Sequence, residues 1–366
     1  MSLLMDPELK QSPLLQCHLD AGARMVPFAG WNMPVQYEGI IPENKAVRTS
    51  LGVFDISHMG QLTVSSSESG IAADWLNRML SNNVQRLQIG DGQYSFLLNE
   101  SAGVIDDLII YRAAADEYFL VVNASRIDQD TQWLQQHLPS DAVQLENKSE
   151  QFAGLAIQGP QIADAFRAMF GSDVTLPDRF CMAEVDTDAG RVIVCRTGYT
   201  GEDGIELFCP LEQAEQWWNR SLAAGAVPCG LGSRDVLRLE KCYPLNGSDL
   251  SEEITPLEAG LKFAVDLQKT DFVGRDTLLR QHETGVDRRL AAIRQTGKSP
   301  PPRPGYKVFC DGQEVGELTS GGVSPRLGCG ISMGYLRDGA YRRGTAVEVE
   351  IRGRRFPAEV VAKPFF

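Results

Sequence analysis

The stretch Val104-Ile105-Asp106-Asp107-Leu108-Ile109-Ile110-Tyr111 sets two adjacent carboxylates inside an otherwise apolar run. Side chains of a strand alternate between its faces. On strict alternation Asp106 shares a face with Val104, Leu108 and Ile110, and Asp107 shares the other with Ile105, Ile109 and Tyr111. Both faces are apolar, so both acids are expected to be buried. An ionised carboxylate there must be paired or hydrogen-bonded, or its pKa rises, and moving a pKa by one pH unit corresponds to about 1.4 kcal/mol. Pattern alone leaves two readings open. The acids either satisfy backbone donors at a strand end or bulge, or are held ready for charge and proton chemistry.

A second acid stands in similar company. Arg196-Thr197-Gly198-Tyr199-Thr200-Gly201-Glu202-Asp203-Gly204 is a glycine-rich connection leading into Ile205-Glu206-Leu207-Phe208. Glycines flanking Tyr199-Thr200 fit unusual backbone angles or the close approach of a ligand; the alternative is an ordinary hairpin with a solvated charge at Glu206. Phe28-Ala29-Gly30-Trp31-Asn32-Met33-Pro34 and Ser57-His58-Met59-Gly60 are apolar loops suited to lining a pocket or to core packing. A lone His58 reads more simply as a structural hydrogen bonder than as a catalyst. Gly230-Leu231-Gly232-Ser233-Arg234-Asp235 begins like a dinucleotide fingerprint, but its sixth position is Asp, no clean strand precedes it, and no G-x-x-x-x-G-K-[ST] occurs. It reads as a turn into a helix N-terminus, and nucleotide cofactors are not expected. The eight Cys form no C-x-x-C and the four His no zinc spacing, so free thiols and no metal centre are expected.

The elements that must position these residues fall into three blocks. From residue 61 to 137 the pattern predicts a strand (Gln61–Ser65), a helix carrying Ile71, Trp75, Leu76, Met79 and Leu80, then strands Tyr94–Leu98, Val104–Arg112 and Tyr118–Val122, and an amphipathic helix Ile127–Leu138. A second block repeats this grammar, with strands Phe152–Ile157, Arg179–Val185 and Arg191–Cys195, a helix opened by Gly159-Pro160, and helices Leu211–Leu222 and Ser233–Lys241. Proline density at Lys298–Pro304 marks a connection, within a tail that reads as short strands from residue 288 onward. That spacing predicts a small closed or sandwiched sheet. The interleaving predicts an α+β protein with split β-α-β halves.

Composition narrows the function classes. The 366 residues carry 48 acidic and 35 basic side chains, a net charge of −13, which opposes binding to nucleic-acid backbones. No signal-peptide pattern and no apolar run near the ~18 residues of a membrane span are visible. A soluble cytoplasmic protein is expected.

In order and spacing, the tracts Phe28–Pro34, Phe54–Gly60, Gly103–Ile109, Gln158-Gly159-Pro160, Arg196–Gly204, Gly230–Asp235, Thr255–Leu261, Phe272-Val273-Gly274, Thr319-Ser320-Gly321, Ser324–Gly328 and Lys363-Pro364-Phe365 resemble the T proteins of the glycine cleavage system, the tetrahydrofolate-dependent aminomethyltransferases. The resemblance implies a three-domain cloverleaf. Two interwoven split β-α-β (ferredoxin-like) subdomains would fill residues 1–284, the second roughly 61–140, and a C-terminal β-barrel residues 285–366. It implies transfer of the methylene carbon from an aminomethyl-lipoyl arm of H protein to tetrahydrofolate, with release of ammonia and no metal. By the same resemblance Asp107 faces the folate chemistry, Glu206, Tyr199 and Arg234 hold the pterin, and Tyr94, Ile109, Tyr111, Asn123 and Met59 line the site. The alternatives are a folate-dependent demethylase of a small sulfonium or amine on the same fold, and a non-catalytic folate-binding protein. One departure stands out: Leu245-Asn246-Gly247 replaces the Leu-Tyr-Gly of many relatives.

Overall fold

The computed structural model describes residues 9–139 and 142–366. The chain builds an α+β architecture from two large antiparallel-rich sheets and a closed barrel. The first large sheet runs in the order Met182–Thr187, Gly190–Cys195, Gly204–Pro210, Phe152–Gln158, Gly52–Asp55, Val227–Pro228. The second runs Gly92–Leu98, Val104–Ala114, Glu117–Val122, Gly60–Ser66, Val143–Asn147. The two are interwoven by chain path. After Gly52–Asp55 the chain leaves the first sheet, completes all five strands of the second, and returns at Phe152–Gln158 to pair with the strand it left.

Each sheet buries its own core. Helices Ile162–Phe170 and Ala214–Ala223 cover the first sheet, through Phe166, Trp217 and Trp218 packed on Leu155, Ile157 and Leu207. Helix Ile71–Met79 covers the second, setting Trp75, Leu76 and Met79 against Leu62, Leu108 and Ile110. A further cluster, with Phe54, Ile56, Tyr111, Phe119, Phe208 and Cys195, lies between the two sheets. The strands that carry Asp107 and Glu206 are thereby packed through one continuous body of side chains. Truncating a buried member such as Phe119 or Phe208 to Ala costs ~3–5 kcal/mol.

From Arg288 to Val361 six strands close a barrel in the order Arg288–Gln295, Cys329–Arg337, Gln313–Ser324, Lys307–Cys310, Ala346–Ile351, Arg354–Val361. The predicted β tail is this barrel. It grips helix Leu231–Glu240, whose buried charges reach into it: Arg238 donates to Asp249 at 2.7 Å and to Ser320 at 2.8 Å, and Ser324 donates to Glu240 at 2.6 Å. That helix bears Arg234, so the barrel fixes one wall of the site.

Three differences from the sequence pattern are physical. The run Arg179–Val185 becomes a strand only from Met182, because Phe180 takes a positive φ of 59° and its carbonyl turns to the Gly92 amide. The hairpin of Arg24–Phe28 with Trp31–Gln36, and helices Ile40–Thr49 and Arg275–Thr284, had no periodicity that announced them. Strict alternation also fails at Asp106. Leu97 pairs with Asp106 and Leu98 with Val104, so Ile105 is an extra residue, a β-bulge. Ile105 therefore packs with Leu108 and Ile110 rather than on the Asp107 side, where Ile109 and Tyr111 join the cluster between the sheets.

Candidate active site

Asp107 is half-buried on the strand Val104–Ala114, just past the bulge. Tyr94, on the neighbouring strand, donates its hydroxyl to Asp107 Oδ2 at 2.8 Å. The Asn123 side-chain amide reaches Asp107 Oδ1 at 3.1 Å and Asp106 Oδ1 at 2.8 Å, and the Asn123 backbone N–H donates to Asp106 Oδ2 at 3.0 Å. The adjacent acids are thus separated by role. Asp106 is wholly buried and spends both oxygens on Asn123, whereas Asp107 is only half-buried and is held by neutral donors.

Burial, first, and the neighbouring Asp106 charge, second, push the Asp107 carboxyl up to about 7, against the hydrogen bonds from Tyr94 and Asn246. Behind Asp106 lies a third acid, Asp130 on helix Ile127–Gln136. It is fully buried, and neither of its oxygens meets a donor among the described residues. Burial and the Asp106 charge drive its pKa strongly upward. That direction favours the protonated form of Asp130 beside Asp106.

The second acid has different surroundings. Glu206, on Gly204–Pro210, is buried and accepts a hydrogen bond at Oε2 from Thr197 Oγ1 at 2.7 Å. Burial raises its pKa, while Thr197 and the charge of Arg234 lower it. The Arg234 guanidinium lies 5.0 Å from the centre of the Tyr199 ring, whose far neighbour is Tyr243 at 6.0 Å. The Tyr199 hydroxyl is tied to the Pro244 carbonyl, which holds the ring in place as a flat wall.

The glycine-rich loop owes its shape to Gln158. Its amide donates to the carbonyls of Thr197 at 3.0 Å and Ile205 at 3.2 Å, and its Oε1 accepts from Thr200 at 2.9 Å. A Cβ at Gly198 would stand 1.8 Å from Gln158 Oε1, and one at Gly204 would stand 2.4 Å from its Nε2. No side chain fits at either position while Gln158 braces the loop. A paired contact of Arg196 with Asp203, 2.8 and 3.1 Å, closes its base.

The residues singled out in the sequence divide into three groups. Asp107, Tyr94 and Asn123 are joined directly by hydrogen bonds. Glu206, Tyr199 and Arg234 meet through charge and ring contacts. Ile109 and Met59 are half-buried against the cluster between the sheets. Tyr111 belongs to that cluster at 0% exposure, with its hydroxyl 2.7 Å from Thr197 Oγ1. His58 is buried, and its Nδ1 has no hydrogen-bond partner among the described residues. Burial and the Arg234 charge depress its pKa to about 4, so the ring is neutral. It is not the anchored hydrogen bonder expected.

The sequence pattern did not single out Thr197 or Asp130, and marked Asn246 only as a departure from relatives. Asn246 accepts from Arg126 at 2.9 Å and helps hold Asp107, in the place where the sequence departs from Leu-Tyr-Gly. All eight cysteines carry free thiols, and burial raises the pKa of Cys195, Cys229 and Cys242; none is a ready nucleophile. Among the described residues no cluster of His, Cys, Asp and Glu is arranged to hold a metal ion, and no helix is long and apolar enough to cross a membrane.

Comparison with known families fits this geometry. Residues 14–269 match the GCVT N-terminal domain, and residues 288–366 match the glycine cleavage T-protein C-terminal barrel domain. The chain belongs to the glycine cleavage T-protein family. It is 43% identical over 364 residues to an aminomethyltransferase of Geobacillus sp. (strain WCH70) and 40% identical over 364 residues to that of Bacillus subtilis (strain 168), covering 98% of this chain and 99% of each relative. The solved structure of glycine cleavage system aminomethyltransferase T from Bartonella henselae is similar at a TM-score of 0.90 and 33% identity, covering 98% of both chains. As a T-protein family member the chain is an aminomethyltransferase, and the α+β body with its closed barrel is the family architecture.

Proposed function

We propose that the acceptor is tetrahydrofolate, bound with its pterin against Glu206, Arg234 and Tyr199 and its N5/N10 edge toward Asp107, and that the donor is the aminomethyl-lipoyl arm of an H protein. The observation that supports this reading is the pair of acids set in apolar strands with different neighbours, one beside a guanidinium and a hydroxyl, the other among neutral donors. A pterin edge offers amino and ring N–H donors beside a carbonyl. Glu206 accepts from the donors, Arg234 complements the carbonyl, and Tyr199 supplies a rigid apolar wall.

In the reaction the C–S bond to the lipoyl sulfur and the C–N bond to the amino group break, and the carbon becomes bonded to N5 and N10. The two protons leaving N5 and N10 account for the thiol of dihydrolipoyl H protein and for ammonia. Asp107 accepts from the N10 side and orients the edge, and its negative charge favours the cationic carbon–nitrogen species formed as a leaving group departs. Tyr94 and Asn123 fix the carboxylate so that this charge needs no rearrangement at the moment of reaction.

The test is incubation with tetrahydrofolate and aminomethyl-loaded H protein, with methylenetetrahydrofolate and ammonia followed together. Equal amounts of both, strictly dependent on H protein, are expected. Folate binding without either product would overturn the donor and leave a folate-dependent demethylase as the better reading.

A further inference from the structure

The chain from Tyr111 through Thr197 to Glu206 has a direction. Tyr111 and Thr197 are 2.7 Å apart oxygen to oxygen, and Thr197 and Glu206 are again 2.7 Å apart. All three are buried, at 0%, 8% and 8% exposure. An ionised carboxylate only accepts, and a threonine hydroxyl has one proton to give. With Thr197 donating to Glu206 Oε2, its own oxygen must accept from Tyr111. Tyr111 lies in the other large sheet, so the relay ties a residue of each sheet to one oxygen of Glu206. No described residue donates to the remaining oxygen, Oε1.

We infer that Thr197 is a positioning residue for ligand binding: its hydroxyl, aligned by Tyr111, locks one oxygen of Glu206 and keeps the carboxylate an acceptor toward the ligand. This deepens the folate reading and rests on it. Thr197 itself reaches no ligand; it acts through Glu206. The relay opposes burial, which alone would favour the protonated acid. A protonated Glu206 could turn Thr197 around and present an O–H to ligand donors, and a donor facing a donor forms no bond.

The other groups around Glu206 do not substitute for Thr197. Arg234 on helix Leu231–Glu240 supplies charge but no hydrogen bond to Glu206 among the described contacts. Cys195, paired across the sheet from Glu206, is a neutral thiol whose pKa burial raises far above its usual value. Tyr111 is held neutral by burial in the same way. Tyr199 is spent on Pro244, and His58 beside Arg234 is uncharged above about pH 4.

The experiment is calorimetric titration with 5-methyltetrahydrofolate, which carries the same pterin edge and is not turned over, from pH 5.5 to 8.5. Wild type, Thr197→Val, Thr197→Ser and Tyr111→Phe are compared. Thr197→Val removes a hydrogen bond to a charged group and is expected to weaken binding ~10-fold or more at pH 7.5. Its acid-side loss of affinity should also begin roughly one pH unit higher than in wild type. Thr197→Ser restores both, because it restores the donor, and Tyr111→Phe shows a smaller shift in the same direction. If Thr197→Val does not fold by circular dichroism, Thr197→Ala is read against Thr197→Ser in its place. Wild-type affinity with an unmoved acid limb in the hydroxyl-free variant overturns the role of Thr197. A uniform weakening with no movement of the limb overturns it too, since that is loss of packing. Failure of the wild-type protein to bind 5-methyltetrahydrofolate overturns the folate reading instead, so the two failures are distinct.

Discussion

Glu206 and Asp107 are both acids inset in apolar strands, yet their neighbours set them opposite tasks. Glu206 faces a cation and accepts from a hydroxyl that is itself aligned from behind. Asp107 faces neutral donors on one side and the charge of Asp106 on the other. Burial raises the pKa of both; Thr197 and Arg234 work against that rise at Glu206, whereas the Asp106 charge adds to it at Asp107. On the proposed reading this difference in neighbours divides the work: Glu206 would hold the pterin, and Asp107 would take part in the chemistry.

The sharpest way to break this contrast is to neutralise each acid alone. Asp107→Asn keeps shape and hydrogen-bonding capacity but removes the charge, and kcat should fall by ~100-fold or more. Binding of a reduced folate should change by less than ~3-fold. A kcat loss under ~10-fold would remove Asp107 from the chemistry. Glu206→Gln should do the reverse, raising the folate Kd by ~10–100-fold while kcat at saturation stays within a few-fold. Swapped phenotypes in steady-state kinetics and calorimetry would invert the assignment.

The raised pKa of Asp107 gives the contrast a pH signature. If the anion is the active form, kcat/KM should climb through about pH 7 and level off above it. Stability should run the other way. A carboxyl whose folded pKa lies above its unfolded value favours folding at low pH, and that contribution is lost as pH rises from about 4 through about 7. Asp107→Asn is therefore expected to raise the Tm by several degrees at pH 8, by less at pH 5, and hardly at all below about pH 4. Equal Tm differences at all three values in thermal melts would show that the group carries no such strain.

How much of this was legible depends on whether partners lie close in sequence. The strand Val104–Ala114, the hairpin to Tyr94 and the barrel strands announce themselves by local alternation. Alternation could not show the bulge at Ile105, because the extra residue is defined by pairing with Leu97 and Leu98 on another strand. Thr197 sits in irregular chain just after the strand Gly190–Cys195, and its partner Tyr111 is 86 positions away. Asn246 was visible only as a departure from relatives. Asp130 did carry a local signal: it lies three residues after Ile127 and four before Leu134, on the buried stripe of its helix. An acid on an apolar stripe calls for a partner, and Asp106 is that partner.

The finest dissection concerns that pair. Burial raises Asp106 as well, and its hydrogen bond with Asp130 works against that rise, favouring the Asp106 charge that lifts Asp107. Asp106→Asn removes the charge next to Asp107, so the acid limb of kcat/KM should move down by roughly one pH unit, a like charge at this range being a sizeable perturbation. Asp130→Asn retains a donor toward Asp106 and alters no charge if Asp130 is already protonated. It should leave the limb within ~0.3 pH units and the Tm nearly unchanged, whereas Asp130→Leu, which strips Asp106 of that donor, should lower the Tm by several degrees. A limb displaced by a full pH unit in Asp130→Asn would mean that Asp130 carries charge in the native state, and that Asp107 feels two acids rather than one.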